Sequence, residues 1–127
     1  LLIEANVFDL LTAFQKVLKE KSFVKDYDVE ITTLSVSDRI ADILEILNAS
    51  DSVTFYSLFT ALSTRPEVIV TFLAVLELMR MQLIRSQQGK QFDVIRLYVA
   101  VDRKTQDEVL KEFFTAEENE IEPENDI

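Results

Sequence analysis

Acid–base chemistry in this chain is open only to carboxylates, lysines and tyrosines. The 127 residues contain no His, no Cys and no Trp. Without imidazole or thiolate, neither a Cys/His nucleophile nor a Ser-His-Asp arrangement can be assembled. The same absence removes thiolate and imidazole metal sites and every disulfide. A single Gly excludes the phosphate-cradling loops of the GxxxxGKS and GxGxxG kind, which need several. Carboxylate pairs such as Asp38 with Asp42 fall on exposed positions of a predicted helix and make no catalytic dyad. Acidic residues crowd the C-terminus at Glu117, Glu118, Glu120, Glu122, Glu124 and Asp126, without the spacing of an EF-hand loop. The chain is therefore expected to be no enzyme and to hold no cofactor and no metal.

What remains is the chemistry of surfaces. Against 23 acidic residues stand 13 basic ones, a net charge of -10. Nucleic-acid affinity comes mainly from neutralising phosphates with Lys and Arg, so free DNA or RNA is not expected as a ligand. With 48% apolar residues, a chain of this length can build one substantial core. The longest apolar stretch, Val68 to Met79, is broken by Glu77 and falls far short of the ~20 residues a membrane span needs. No signal-peptide pattern is present, so the cytoplasm is the expected location. The opening Leu1-Leu2-Ile3, without Met, is what a fragment of a longer protein would show.

The elements that must present such surfaces can be read from periodicity and caps. Residues 6–20 predict an amphipathic helix, with Val7, Leu10, Leu11, Phe14, Val17 and Leu18 at helical spacing and Asn6 as its cap. Residues 29–34 alternate and are β-branched, as a short strand or extended connector would be. Residues 36–48 predict a second helix, capped by Ser35 or Ser37. Val53-Thr54-Phe55 reads as extended, and Tyr56 to Leu62 as a short helix. Thr64 and Glu67 form a capping box around Pro66, which announces a helix over 65–81. Two extended segments, 83–87 and 92–98, flank Gly89 and predict a β-hairpin. A last helix is expected over Thr105–Phe114, followed by a disordered acidic tail over 115–127.

The predicted fold is mostly α with a small β-hairpin. It is a winged helix-turn-helix over 35–98, preceded by an amphipathic helix and connector over 1–34 and followed by a short helix and acidic tail over 99–127. The helix over 65–81 bears on function most directly. Its apolar residues wrap the whole circumference, and only Thr71, Glu77 and Arg80 interrupt them. A surface helix of a small domain usually shows one apolar stripe, and a DNA-reading third helix turns Arg, Lys, Asn or Gln outward. Either this helix is the central core helix, or one of its faces is covered by another protein.

Three runs of residues resemble a known family. They are Val70-Thr71-Phe72-Leu73-Ala74-Val75-Leu76-Glu77-Leu78-Met79 with Leu83-Ile84, Gln87-Gln88 and Phe92-Asp93-Val94-Ile95; Val7 to Leu18; and Val53 to Phe59. In order and spacing they are similar to segregation and condensation protein A (ScpA), the bacterial kleisin family. The resemblance covers about residues 5–98. Two departures stand out: no Gly separates Phe92 from Asp93, and the family's N-terminal helical domain has no counterpart in these residues.

The resemblance implies a winged helix that sits on the ATPase head of an SMC subunit, in a complex with ScpB that condenses and segregates chromosomes at the nucleoid. A piece without the N-terminal domain is expected to hold one head but not to bridge two. By the same analogy, the head is expected to meet the helix over 65–81 and the wing. Phe72 and Leu76, four apart on one helix face, are the expected anchors; Phe92, Ile95 and Leu97 are the second set. For both sets plain core packing is the alternative. Arg80, Arg85, Lys90 and Arg96 are expected as an ionic rim, with a solvated surface or phosphate contacts as the alternatives. A DNA-binding winged helix, or an isolated fragment that pairs with its own copy as a homodimer, are the competing readings. No membrane partner is expected.

Overall fold

The computed structural model describes residues 3–23, 35–89 and 94–121, the stretch 117–121 by its backbone alone. The elements follow in the order β1 (Ile3–Glu4), α1 (Val7–Glu20), α2 (Val36–Asn48), β2 (Val53–Thr54), a 3-10 turn (Tyr56–Leu58), α3 (Arg65–Arg80), β3 (Ile84–Gln88), β4 (Ile95–Val99) and α4 (Arg103–Ile121).

Each of the first three helices starts where a side chain takes up a backbone donor that the helix leaves orphaned. At α1 the capping is reciprocal. The Asp9 N–H donates to Asn6 Oδ1 at 2.9 Å, and the Asn6 N–H donates to Asp9 Oδ2 at 3.0 Å. The Ser35 hydroxyl accepts from the Asp38 N–H at 3.0 Å and starts α2. At α3 the expected box is present: Thr64 Oγ1 accepts from the Glu67 N–H, and Glu67 Oε1 accepts from the Thr64 N–H. Pro66 occupies the first turn, where no N–H is needed.

The chain leaves α3 through a tight corner. Gln82 has φ 62 and, among the described residues, is the one non-glycine residue in the left-handed region. The Gln82 N–H donates to Met79 O and the Leu83 N–H to Leu78 O, which satisfies the last carbonyls of α3. The hairpin follows, with Ser86 opposite Leu97 and Gln87 opposite Arg96. Alternation along β3 and β4 buries Ile84, Ser86, Gln88, Ile95 and Leu97 and leaves Arg85 and Arg96 in solvent. β2 and β1 add short antiparallel edges, giving the order β1-β3-β4-β2. The Ser86 hydroxyl donates to Ala5 O at 2.9 Å and ties the segment after β1 to the hairpin.

One core joins α1, α2, α3 and the inner face of the sheet. Its centre is aromatic. Phe14 of α1 stacks on Phe72 of α3, and Phe55 and Phe59 complete the cluster edge-on or tilted. α2 contributes Ile40, Ile43, Leu44 and Leu47 from the other side of α3. α3 is thus the central helix, and several of its apolar sides are already used within the chain.

The architecture is mostly α with a small antiparallel sheet, as the sequence predicts. Three details differ. Tyr56 to Leu62 forms only a 3-10 turn, because Thr54 takes up the Ser57 N–H and hydroxyl and holds a tight local loop. The segment 115–121, expected to be disordered, continues α4 to Ile121. Ala and Glu are good helix formers, and the Thr115 hydroxyl bonds back to Lys111 O. The strand β1 has no sequence signal, since two residues carry no readable alternation. The expected strand over 29–34 and the tail over 122–127 lie outside the described residues.

Candidate docking surface along helix α3

The 3.6-residue period sorts the side chains of α3 into stripes. Val68, Thr71, Phe72, Ala74, Val75 and Leu78 face inward and are buried. Thr71, the one polar member, donates its hydroxyl to Glu67 O at 2.8 Å, so its burial leaves nothing unsatisfied. A separate stripe runs through Ile69, Leu73, Leu76 and Arg80. Ile69 is 40% and Leu73 45% exposed, and Leu76 is half-buried. Apolar side chains that open to water at helical spacing form a strip that the domain itself does not cover.

The strip leads into a groove of about 570 Å³, whose apolar lining comes from Val36, Leu73, Leu76, Phe113 and Ala116. Two elements besides α3 build it. The start of α2 supplies Val36, and α4 supplies the far wall. α4 is held in place by a reciprocal amide pair: Asn48 Nδ2 donates to Gln106 Oε1 at 2.8 Å, and Gln106 Nε2 donates to Asn48 Oδ1 at 2.9 Å. Gln106 Nε2 also reaches Val101 O at 3.1 Å. Val109, Leu110 and Phe113 then pack against the core.

At one end of the groove Arg80 donates to Glu77 through Nε at 2.9 Å and through a second guanidinium nitrogen. That hydrogen bond, and then the Glu77 charge, hold the guanidinium above its ordinary value. Arg80 is therefore a fixed charge already answered by a carboxylate.

The expected site residues separate under this geometry. Phe72 is 7% exposed and sits inside the aromatic cluster, so it is a core residue in the isolated chain. Ile95 and Leu97 are buried by strand alternation against the helices. These three have no surface left to offer a partner unless the core opens. Leu76 does reach the groove. Phe92 and Lys90 lie outside the described residues. Of the described basic residues, Arg80 alone borders the groove. Arg85 and Arg96 are on the solvent face of the hairpin, where Arg96 Nε donates to Ser52 Oγ at 3.1 Å.

Ile69 and Leu73, which the spacing of Phe72 and Leu76 does not single out, are the exposed apolar residues of α3. The signal for them was present: they lie one helical stripe away from the stripe of Phe72, and only one of the two stripes can face α1.

Two comparisons with known proteins bear on this arrangement. The family model described as "Segregation and condensation protein ScpA" matches residues 1–101. The chain belongs to the segregation and condensation protein A family. A relative of that name from Bacillus cereus (strain AH187) is 38% identical over 96 residues, covering 73% of this chain and 38% of its own length. Another, from Listeria monocytogenes serotype 4b (strain CLIP80459), is 35% identical over 94 residues, covering 71% and 37%. A third, from Bacillus cytotoxicus, is 37% identical over 101 residues, covering 77% and 40%. The chain thus spans about two fifths of the length of these ScpA relatives. Their name carries segregation and condensation as the family's process. Among the described residues, no helix is long and apolar enough to cross a membrane.

Proposed function

We propose that this chain is the part of a bacterial kleisin that grips the ATPase head of an SMC subunit. On this reading residues 35–98 act as a winged helix whose third helix, α3, meets a protein instead of a DNA groove. The observation that carries it is the strip Ile69, Leu73 and Leu76, apolar and open to solvent on a helix whose other sides are already packed. Family membership supplies the process, and the strip supplies a place for a partner. A DNA reader would need unpaired polar donors on this face, whereas the strip's only charged member is bound by Glu77. ATP hydrolysis belongs to the head, not to this chain. ScpB is the further partner of the assembled complex.

Co-purification with an SMC head domain, with and without ATP, tests the reading. The head is expected to be retained by the wild-type chain and lost from the pair Ile69→Arg with Leu73→Arg, provided circular dichroism shows that variant folded. A folded variant that still holds the head would sink the assignment of the strip. A wild-type chain that ignores the head but shifts duplex DNA in a salt-sensitive manner would sink the kleisin reading and favour a DNA-binding one.

A further inference from the structure

Helix α4 is fastened to a core that is complete without it. Among the described residues, every buried apolar side chain lies between Ala5 and Leu97. α4 begins only at Arg103, beyond the residues matched by the family model. Of its side chains from Arg103 to Ala116, Gln106 alone is buried. The Gln106 amide clasps Asn48 at the end of α2 and so holds the first turn of α4. From there α4 runs back along α2, since Phe113 and Ala116 share the groove with Val36, at the start of α2. The seam along this second half is incomplete. Val109, Leu110 and Phe113 are only half-buried, and the groove of about 570 Å³ lies between Phe113 and Ala116 on one side and Leu73 and Leu76 on the other. A helix held by one polar clasp and a partly open apolar seam detaches at a lower free energy than the core unfolds.

We infer that α4 is a releasable strap beside the α3 strip, and that it competes with the partner for the same apolar face. Fastened, it shields Val36 and Leu76, which stay half-buried, and leaves Ile69 and Leu73 in water. Released, it joins Val36 and Leu76 to that strip and lengthens the face open to a partner. The buried Asn48–Gln106 clasp is the latch, and the seam at Phe113 and Ala116 sets how firmly the strap closes. The partner's apparent affinity then scales with the fraction of chains whose strap is open. Loosening the latch should strengthen docking, and tightening the seam should weaken it. A helix that only stabilises the domain would not produce that pair of opposite effects. The inference rests on reading the α3 strip as a docking surface, and it adds a device within the chain that regulates access to it.

The test compares the full wild-type chain with Gln106→Ala, which removes the latch, and with Ala116→Leu, which adds apolar surface at an exposed position of the groove wall. Circular dichroism checks each fold. Should Gln106→Ala fail to fold, Phe113→Ser loosens the seam in its place. Two readouts need no partner: hydrogen exchange of α4 amides and fluorescence of the apolar dye anilinonaphthalene sulfonate. Both are expected to rise at least about threefold in Gln106→Ala and to fall in Ala116→Leu. Adding Leu73→Asp to Gln106→Ala should return the dye signal towards the wild-type level. The third readout is affinity for an SMC head domain, expected to gain at least about threefold in Gln106→Ala and to drop in Ala116→Leu. Exchange and dye binding that neither substitution moves would overturn the strap, whatever the head does. Head binding that weakens in Gln106→Ala would overturn it too and make α4 a part of the dock. Exchange and dye binding that move as expected, with no form of the chain holding the head, would keep the strap and sink only the SMC reading.

Discussion

Phe14 and Phe72 lie face to face across the α1–α3 contact, with ring centroids 4.1 Å apart and planes within 6° of parallel. The pair welds the first helix to the central one, and Phe55 and Phe59 close around it. Phe72→Ala should cost about 3–5 kcal/mol, the range for emptying a buried phenylalanine site. A double-mutant cycle with Phe14→Ala should show a coupling of about 0.5–1.5 kcal/mol. Urea midpoints measure both. A Phe72→Ala chain of unchanged stability would mean that the cluster is not the core.

The exposed strip should be more forgiving. Ile69→Ser and Leu73→Ser remove side chains that are only about half covered, so each should cost about 1 kcal/mol, well short of a core truncation. The same urea experiment checks this. A cost of several kcal/mol would place these residues in the core and disqualify them as free contact points.

The anchorage of α4 depends on the amide pair between Asn48 and Gln106. Gln106 is 2% exposed, so Gln106→Ala leaves Asn48 and the Val101 carbonyl short of partners. Stranding a part-buried amide in this way costs about 1–3 kcal/mol. Hydrogen exchange of α4 amides should accelerate in the variant while α2 and α3 amides change less. Uniform acceleration across all helices would show that α4 unfolds only with the whole domain.

Asp102 gives α4 a pH-dependent start. Its carboxylate accepts from the Thr105 N–H at 2.8 Å, and its backbone carbonyl accepts from the Gln106 N–H at 3.0 Å. The Thr105 hydrogen bonds hold the carboxyl below its ordinary value. A carboxyl depressed in the folded state stabilises fully above its unfolded value of about 3.9. That contribution is lost as pH falls through the lower folded value. Asp102→Asn keeps an acceptor that does not titrate. The difference in helicity between the wild-type and Asp102→Asn chains, followed by circular dichroism, should therefore change below about pH 4 and stay flat above it. A difference that moves near neutral pH would assign the effect to another group.

Much of this architecture was legible residue by residue. Asn6, Ser35 and the Thr64–Glu67 pair mark helix starts because each start needs a local acceptor, and local chemistry can be read from a sequence. The buried face of α2 was legible for a similar reason, and so were Leu10, Phe14 and Val17 of α1, whereas Val7 and Leu11, which share the predicted α1 stripe, stay exposed. α3 was the difficult case. With apolar residues on nearly every side, its pattern does not say which stripe meets α1 and which meets water. The four-residue spacing of Phe72 and Leu76 puts them on neighbouring turns of one face, yet Phe72 is buried in the aromatic core while Leu76 reaches the groove. Choosing between Phe72 and Leu73 needs the position of Phe14, which is a tertiary fact. Ile95 and Leu97 were ambiguous in the same way, because alternation shows that they share a face but not which face is covered. The groove also depends on Phe113, distant in sequence and on an element whose length the acidic composition disguised.

The left-handed corner at Gln82 has a mechanical consequence. A left-handed backbone is costly for a residue with a Cβ, and here it is braced by the Met79 and Leu78 carbonyls on one side and the start of β3 on the other. Such a joint resists bending. α3 and the hairpin share one core, so a protein that clamps the helix would also fix the direction of the outer arginines, Arg85 and Arg96.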